Sequence, residues 1–183
     1  MNVVLIGMKH CGKSTLGKAL ADRWECPFYD VDEMIETLHA CDTGRHLSVR
    51  EVFSRFGEEY FHRLEGQVVC DLFLKLYRPG ARNVIALGGR TAMNERIRDL
   101  LDGIGLIVYI QVSPQELLRR VERSGLPPFL DDADPAGDFL NLCRQREPHY
   151  EQLANVVINV EGLDIPTAVD ALVRRIEEHE DAR

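Results

Sequence analysis

Gly7-Met8-Lys9-His10-Cys11-Gly12-Lys13-Ser14 has the spacing of a phosphate-binding loop, and the residues on either side are those such a loop needs. The apolar run Val3-Val4-Leu5-Ile6 before it reads as a short buried strand. Thr15 to Trp24 after it reads as an amphipathic helix. Glycines at the turn let successive backbone N–H groups converge on one anion, and the helix N-terminus adds its positive dipole end. Lys13, expected to stand solvated beside the loop, would reach the β- and γ-phosphates, and the Ser14 hydroxyl would take a Mg²⁺ position. The expected nucleotide-binding residues are therefore Gly7, His10, Cys11, Gly12, Lys13, Ser14 and Thr15. By composition such a match arises by accident in roughly one chain of this length in a hundred, and the strand-loop-helix context lowers that further.

Outward from the loop, strand-like and helix-like segments alternate. Pro27-Phe28-Tyr29-Asp30 is a second strand, and Asp32 to His39 a helix. Ser48-Val49-Arg50-Glu51 has the spacing of a capping box ahead of a helix ending near Gly57. A long helix from Glu58 to about Tyr77 ends at Pro79-Gly80. Val84 to Leu87 and Leu106 to Ile110 are the third and fourth strands, and Ser113-Pro114 opens another helix. Val156 to Val160 is the fifth strand, and Ile165 to about Glu178 the closing helix. Short apolar strands separated by helices predict a parallel sheet covered on both faces: a three-layer α/β/α sandwich, five strands, one domain over residues 1–183. Ser124 to Gly137, rich in Pro, Gly and Asp, breaks the periodicity, and reads either as a disordered loop or as a mobile active-site lid.

Composition narrows the function classes. The chain has 183 residues, 45% hydrophobic and 28% charged, an ordinary globular balance. Its net charge of −8 gives no overall basic footprint for nucleic acid or an anionic membrane. Any polyanionic ligand must meet local positive charge. No stretch approaches the roughly 20 apolar residues of a membrane span, and no signal peptide is expected, so the expected location is cytoplasmic and the expected state a monomer. The five cysteines show neither disulfide nor zinc spacing. Four are expected to be packing residues. Cys11, inside the anion cradle, is either a small space-filler or a thiol activated by the helix N-terminus.

Asp30 and Asp32, two residues apart at the end of the second strand, would point to the same side at the carboxyl edge of the sheet. One could hold Mg²⁺ and the other orient, or take the proton of, an attacking hydroxyl. The alternative is that Asp32 merely caps the following helix.

With these residues in place the chain resembles the shikimate kinases, small phosphate-loop kinases related to the nucleoside monophosphate kinases. The resemblance spans nearly the whole chain. It rests on the loop, on Phe28-Tyr29-Asp30-Val31-Asp32, on Phe56-Gly57-Glu58 through Leu64-Glu65, on Leu87-Gly88-Gly89, and on Arg146-Glu147-Pro148-His149-Tyr150. It implies transfer of the ATP γ-phosphoryl group to the 3-hydroxyl of shikimate, a step toward the aromatic amino acids. By the same resemblance Lys13 and Ser14 bind phosphate and Mg²⁺, Asp30 holds the metal through water, and Asp32 binds the reacting hydroxyl. Gly88 and Gly89 place backbone against the substrate ring, Arg146 grips its carboxylate, and Arg120 stacks on adenine.

Three positions depart from the family pattern. His62 replaces an arginine that clamps the shikimate carboxylate, and Arg63 beside it lies about 100° round the helix. Arg90 stands where the family has a third glycine. Leu126-Pro127-Pro128 has proline where a lid arginine is normal. Neighbours could compensate, Arg123 for the lid and Arg90 for the carboxylate. The alternatives are a kinase for another hydroxy acid or polyol, or a weakened nucleotide-binding regulatory module.

Overall fold

The computed structural model describes residues 1–76, 81–124 and 133–182. Five parallel strands form one sheet: β1 (Asn2–Ile6), β2 (Phe28–Asp30), β3 (Asn83–Ala86), β4 (Leu106–Gln111) and β5 (Val156–Asn159), in the order β2-β3-β1-β4-β5. Every residue of β1 is buried, so both faces of the central strand are covered. Helices α1 (Lys13–Arg23) and α7 (Ile165–Asp181) pack together, as do α3 (Val49–Leu76) and α4 (Glu95–Ile104). The architecture is the three-layer α/β/α sandwich expected.

Several boundaries differ from the sequence reading. The strand β2 ends at Asp30, and α2 (Val31–Thr43) begins at once. Asp32 therefore lies in the first helical turn, and the alternation of a strand does not relate it to Asp30. The cap is Asp30, whose side chain accepts from the N–H groups of Asp32 and Glu33. The expected break near Gly57 is present inside α3, where Gly57 has φ 82° and ψ 178° and divides two helical runs. At the sheet edge β5 alternates buried and exposed residues, because successive side chains point to opposite faces and one of those faces is left open to solvent.

Two helices lacked a sequence-level expectation, α4 and α6 (Pro135–Leu153); α5 is Pro114–Ser124. In α4 the buried residues Ile97, Leu101 and Ile104 recur at helical spacing, the signal that could have found it. Of the segment expected as a lid, Ser124 closes α5 and residues 135–137 open α6. Residues 125–132, with Pro127, and the expected helix stop at Tyr77 to Gly80 lie outside the described residues. Among those described, no helix is long and apolar enough to cross a membrane.

Strand register builds the site. Asp30 pairs with Ala86 of β3, and Leu5 of β1 pairs with the same Ala86. The carboxyl ends of β2, β3 and β1 thus deliver Asp30, Leu87-Gly88-Gly89 and the phosphate loop to one edge.

Candidate active site

Residues 7–15 form a tight cradle at the end of β1. Gly7 has φ 142°, and a Cβ there would stand 2.7 Å from the Ile110 carbonyl oxygen, so both conformation and space require glycine. His10 also takes a left-handed conformation, φ 68°. Lys13 is buried, not solvated as the sequence suggested. Its ammonium donates to the carbonyl oxygens of Gly7 and Met8, each at 2.9 Å, which holds it under the loop. Cys11 is buried beside it, with Sγ 3.8 Å from Lys13 Nζ, and is a packing residue. The cysteines at the surface are Cys41 and Cys70.

Ser14 Oγ donates to Asp30 Oδ2 at 2.5 Å, while Asp30 Oδ1 accepts from the backbone of α2. One carboxylate thereby ties the start of α1 to the start of α2 and offers oxygen ligands beside the cradle. Arg120, on α5, donates to the His10 carbonyl oxygen at 3.2 Å and to Glu116 at 2.8 Å, which lays its guanidinium along the loop. Arg123 is exposed in the last turn of α5.

Next to the cradle opens a cavity of about 130 Å³, room for roughly ten waters and so for a small polar molecule. Its lining carries the cations Lys9, Arg50, Arg90 and Arg146 and the carboxylates Asp32 and Glu65, with His10 and Ser54 also polar. Four cations against two carboxylates favour an anionic occupant. Phe53, Phe61 and Phe139 supply flat apolar wall. Burial, with help from the charges of Asp30 and Glu65, pushes the Asp32 carboxyl up to about 6, against the opposing pull of Lys13 and Lys9. Gly88 lies against it: a Cβ there would be 2.6 Å from Asp32 Oδ1.

Glu65, which the sequence argument did not single out, is buried at the cavity wall. It accepts from Thr91 Oγ1 at 2.6 Å and Asn94 Nδ2 at 3.0 Å, and His62 Nδ1 is 3.1 Å away. A glutamate one helical turn past His62 on an otherwise apolar face was the available signal. His62 itself is engaged by Glu65 and, through Nε2 at 3.3 Å, by Glu58, and is not among the lining residues. Arg90 also pairs with Glu58 and lies over the Phe53 ring, 5.6 Å from its centroid. Arg63 points elsewhere, as expected, over Tyr60. Arg146 bonds to the buried Tyr150, whose hydroxyl also donates to the Gly89 carbonyl oxygen.

The sequence profile of the shikimate kinases matches residues 9–177. The chain belongs to the shikimate kinase family. Within that family, a shikimate kinase of Symbiobacterium thermophilum is 32% identical over 180 residues, covering 97% of both chains. The solved shikimate kinase from Acinetobacter baumannii in complex with shikimate superposes with a TM-score of 0.82 at 25% identity, over 97% of this chain and 93% of that one. The Aquifex aeolicus shikimate kinase gives 0.77 at 28% identity, over 98% of each chain. In this shikimate kinase family member the first glycine of the turn meets Asp32, and the second meets the phosphate loop at Lys9.

Proposed function

We propose that this chain is an ATP- and Mg²⁺-dependent shikimate kinase, a single cytoplasmic, monomeric kinase domain that phosphorylates the 3-hydroxyl of shikimate. One observation carries the reading: a phosphate cradle and a small cation-rich cavity share one sheet edge, with Asp32 between them.

The residues present suit both ATP and Mg²⁺. The turned loop at Gly7 and His10 leads into the N-terminus of α1, an arrangement built for phosphate oxygens. Ser14 Oγ and Asp30 Oδ2, 2.5 Å apart, form an all-oxygen donor pair that suits a hard cation. Mg²⁺ held there would screen the negative charge of the β- and γ-phosphates.

The chain's own residues do the rest. Gly7 through Thr15 offer backbone N–H groups, Lys13 turns from the loop carbonyls toward the phosphates, and Arg120, held along the loop by the His10 carbonyl oxygen, would stack on adenine. Arg146 and Arg90 grip the acceptor carboxylate, with His62 steering Arg90 through their common partner Glu58. Gly88 and Gly89 bring backbone against the acceptor ring. Asp32 accepts the hydroxyl proton, a role that suits a carboxyl titrating about 6. Arg123 adds charge from the last turn of α5.

A coupled ADP-release assay tests this with shikimate, quinate and gluconate. Shikimate should give the highest kcat/KM. Preference for another acid would mean that the Arg90–Glu58 arrangement has reshaped the pocket. Nucleotide binding with no transfer to any acid would favour a regulatory module.

A further inference from the structure

We propose that Lys9 is a further catalytic group, whose ammonium holds the negative charge on the phosphoryl oxygens as they pass from nucleotide to acceptor. The inference rests on the kinase reading above and adds a residue to it.

Position is the first argument. Lys9 belongs to the phosphate loop, yet it also lines the acceptor cavity together with Asp32. Its backbone nitrogen lies 3.0 Å from where a Cβ on Gly89 would stand, so the loop and the acceptor wall touch at this residue. A group bridging donor and acceptor sites is where a phosphoryl group in transit must pass. Its charge reaches the Asp32 carboxyl, and opposes the burial that raises it.

Availability is the second. The other cations around the seam are engaged: Lys13 by the Gly7 and Met8 carbonyls, Arg90 by Glu58, Arg120 by Glu116 and His10, Arg146 by Tyr150, and Arg50 also has an interaction of its own. Lys9 is exposed, and among the described residues its ammonium has no hydrogen-bond or ion-pair partner. A lysine on a flexible stem with three donors can follow the moving oxygens.

Need is the third. The sequence from Gly125 to Asp134 contains no lysine or arginine and three aspartates, so that segment brings no positive charge to the reaction. The transfer breaks the bond between the γ-phosphorus and the β–γ bridging oxygen and forms one to the acceptor oxygen. The hydroxyl proton goes to Asp32, and the nucleoside diphosphate leaves with the bridging oxygen. Lys9 keeps its proton and stabilises charge on the non-bridging oxygens.

Lys9→Met and Lys9→Arg test this in the full chain. Removing one preorganised donor from a developing oxyanion costs roughly 10²–10³ in rate. Lys9→Met should therefore lower kcat about 100-fold, with KM for ATP and shikimate within about threefold, and Lys9→Arg should recover at least about a tenth of it. Calorimetry supplies a second readout. Binding of ADP with aluminium fluoride and shikimate, a mimic of the phosphoryl group in transit, should weaken by a similar factor, while AMP-PNP binding stays unchanged. An unchanged kcat, or a raised shikimate KM at constant kcat, would overturn the proposal, the latter making Lys9 a ground-state clamp. If the unaltered chain transfers phosphate to shikimate and Lys9→Met does so with the same kcat, only this inference fails. If the unaltered chain transfers to no acceptor, the kinase reading fails with it.

Discussion

Arg90 and Glu58 form an ion pair at the wall of the acceptor cavity, across 32 residues of sequence. Glu58 is exposed and its carboxyl is held below the usual range, first by the His62 bond and then by Arg90. Two positions where the sequence departs from its family, 62 and 90, thus meet at one oxygen, Glu58 Oε1. The two residues are thus coupled through one shared carboxylate.

That arrangement predicts an effect on acceptor binding rather than on folding, because exposed pairs contribute little stability. Arg90→Gly should raise the acceptor KM at least about tenfold, as loss of a guanidinium-carboxylate contact of roughly 1.5–3 kcal/mol requires. His62→Arg in that background should partly restore it. An unchanged KM would leave Arg90 with only its contacts to Glu58 and Phe53.

Asp30 caps α2 through one oxygen and meets Ser14 through the other. Asp30→Asn keeps a capping oxygen, so stability in urea should change by less than about 0.5 kcal/mol, whereas Asp30→Ala should lose about 1 kcal/mol. The Mg²⁺ concentration for half-maximal turnover should rise at least about tenfold in both. A metal titration of Asp30→Asn that matches the unaltered chain would move the metal away from Asp30.

The Asp32 carboxyl, raised to about 6 from an ordinary 3.8, has two consequences with a definite sign. As the proton acceptor it must be ionised, so kcat/KM should climb through an apparent pKa near 6 and then level off. For stability, the folded chain binds this proton more tightly than the unfolded one. The stability it contributes is therefore present below about pH 4 and lost as pH rises through about 6. Asp32→Asn should abolish transfer yet gain stability relative to the unaltered chain above pH 7, by up to about 3 kcal/mol, with no difference below pH 4. A flat pH profile between 5 and 8 would remove Asp32 from the proton-transfer role.

Arg123 stands exposed at the end of α5, at the root of the segment that follows. A guanidinium over a transferring phosphoryl group can be worth roughly 10³–10⁵ in rate. Arg123→Ala should lower kcat at least about tenfold with little change in ATP affinity. Steady-state kinetics that leave kcat intact would assign that charge to other groups.

Thiol labelling should divide the cysteines by burial. Cys41 and Cys70 are exposed and should react first, while Cys11 and Cys143 are buried. Burial also pushes the Cys143 thiol up to about 11, which depletes its thiolate at neutral pH. Mass spectrometry of partially labelled protein should find Cys11 unmodified, with or without ATP. Rapid modification of Cys11 would mean that the loop opens in solution.

Short-range pattern was enough for the loop, the five strands, the break at Gly57 and the burial of the central strands on both faces, because each depends on neighbours a few residues apart. Where readings failed, either the local backbone path or a distant partner decided. Lys13 was expected in solvent and is held by carbonyls that the loop's own fold turns toward it. Asp32 was expected on a strand, but Asp30 caps a helix that begins one residue later. Glu65 passed unnoticed because its three partners come from residues 62, 91 and 94, two of which lie beyond another strand.

Local pattern in the sequence marks out a phosphate-loop α/β chain, since glycine spacing, apolar runs and helix caps act locally, and it was the resemblance of the motifs that pointed to the shikimate kinases. The tertiary structure alone decided what the site can do. The strand order β2-β3-β1 sets Asp30, Gly88 and the loop side by side, although Gly88 is dozens of residues from the other two in the chain. Only that juxtaposition buries Asp32 until its carboxyl titrates about 6, joins Arg90 to Glu58, and leaves Lys9 at the seam between the two halves of the site. Burial and Coulomb interaction depend on distance through space, and a linear pattern does not carry that distance until the sheet is assembled.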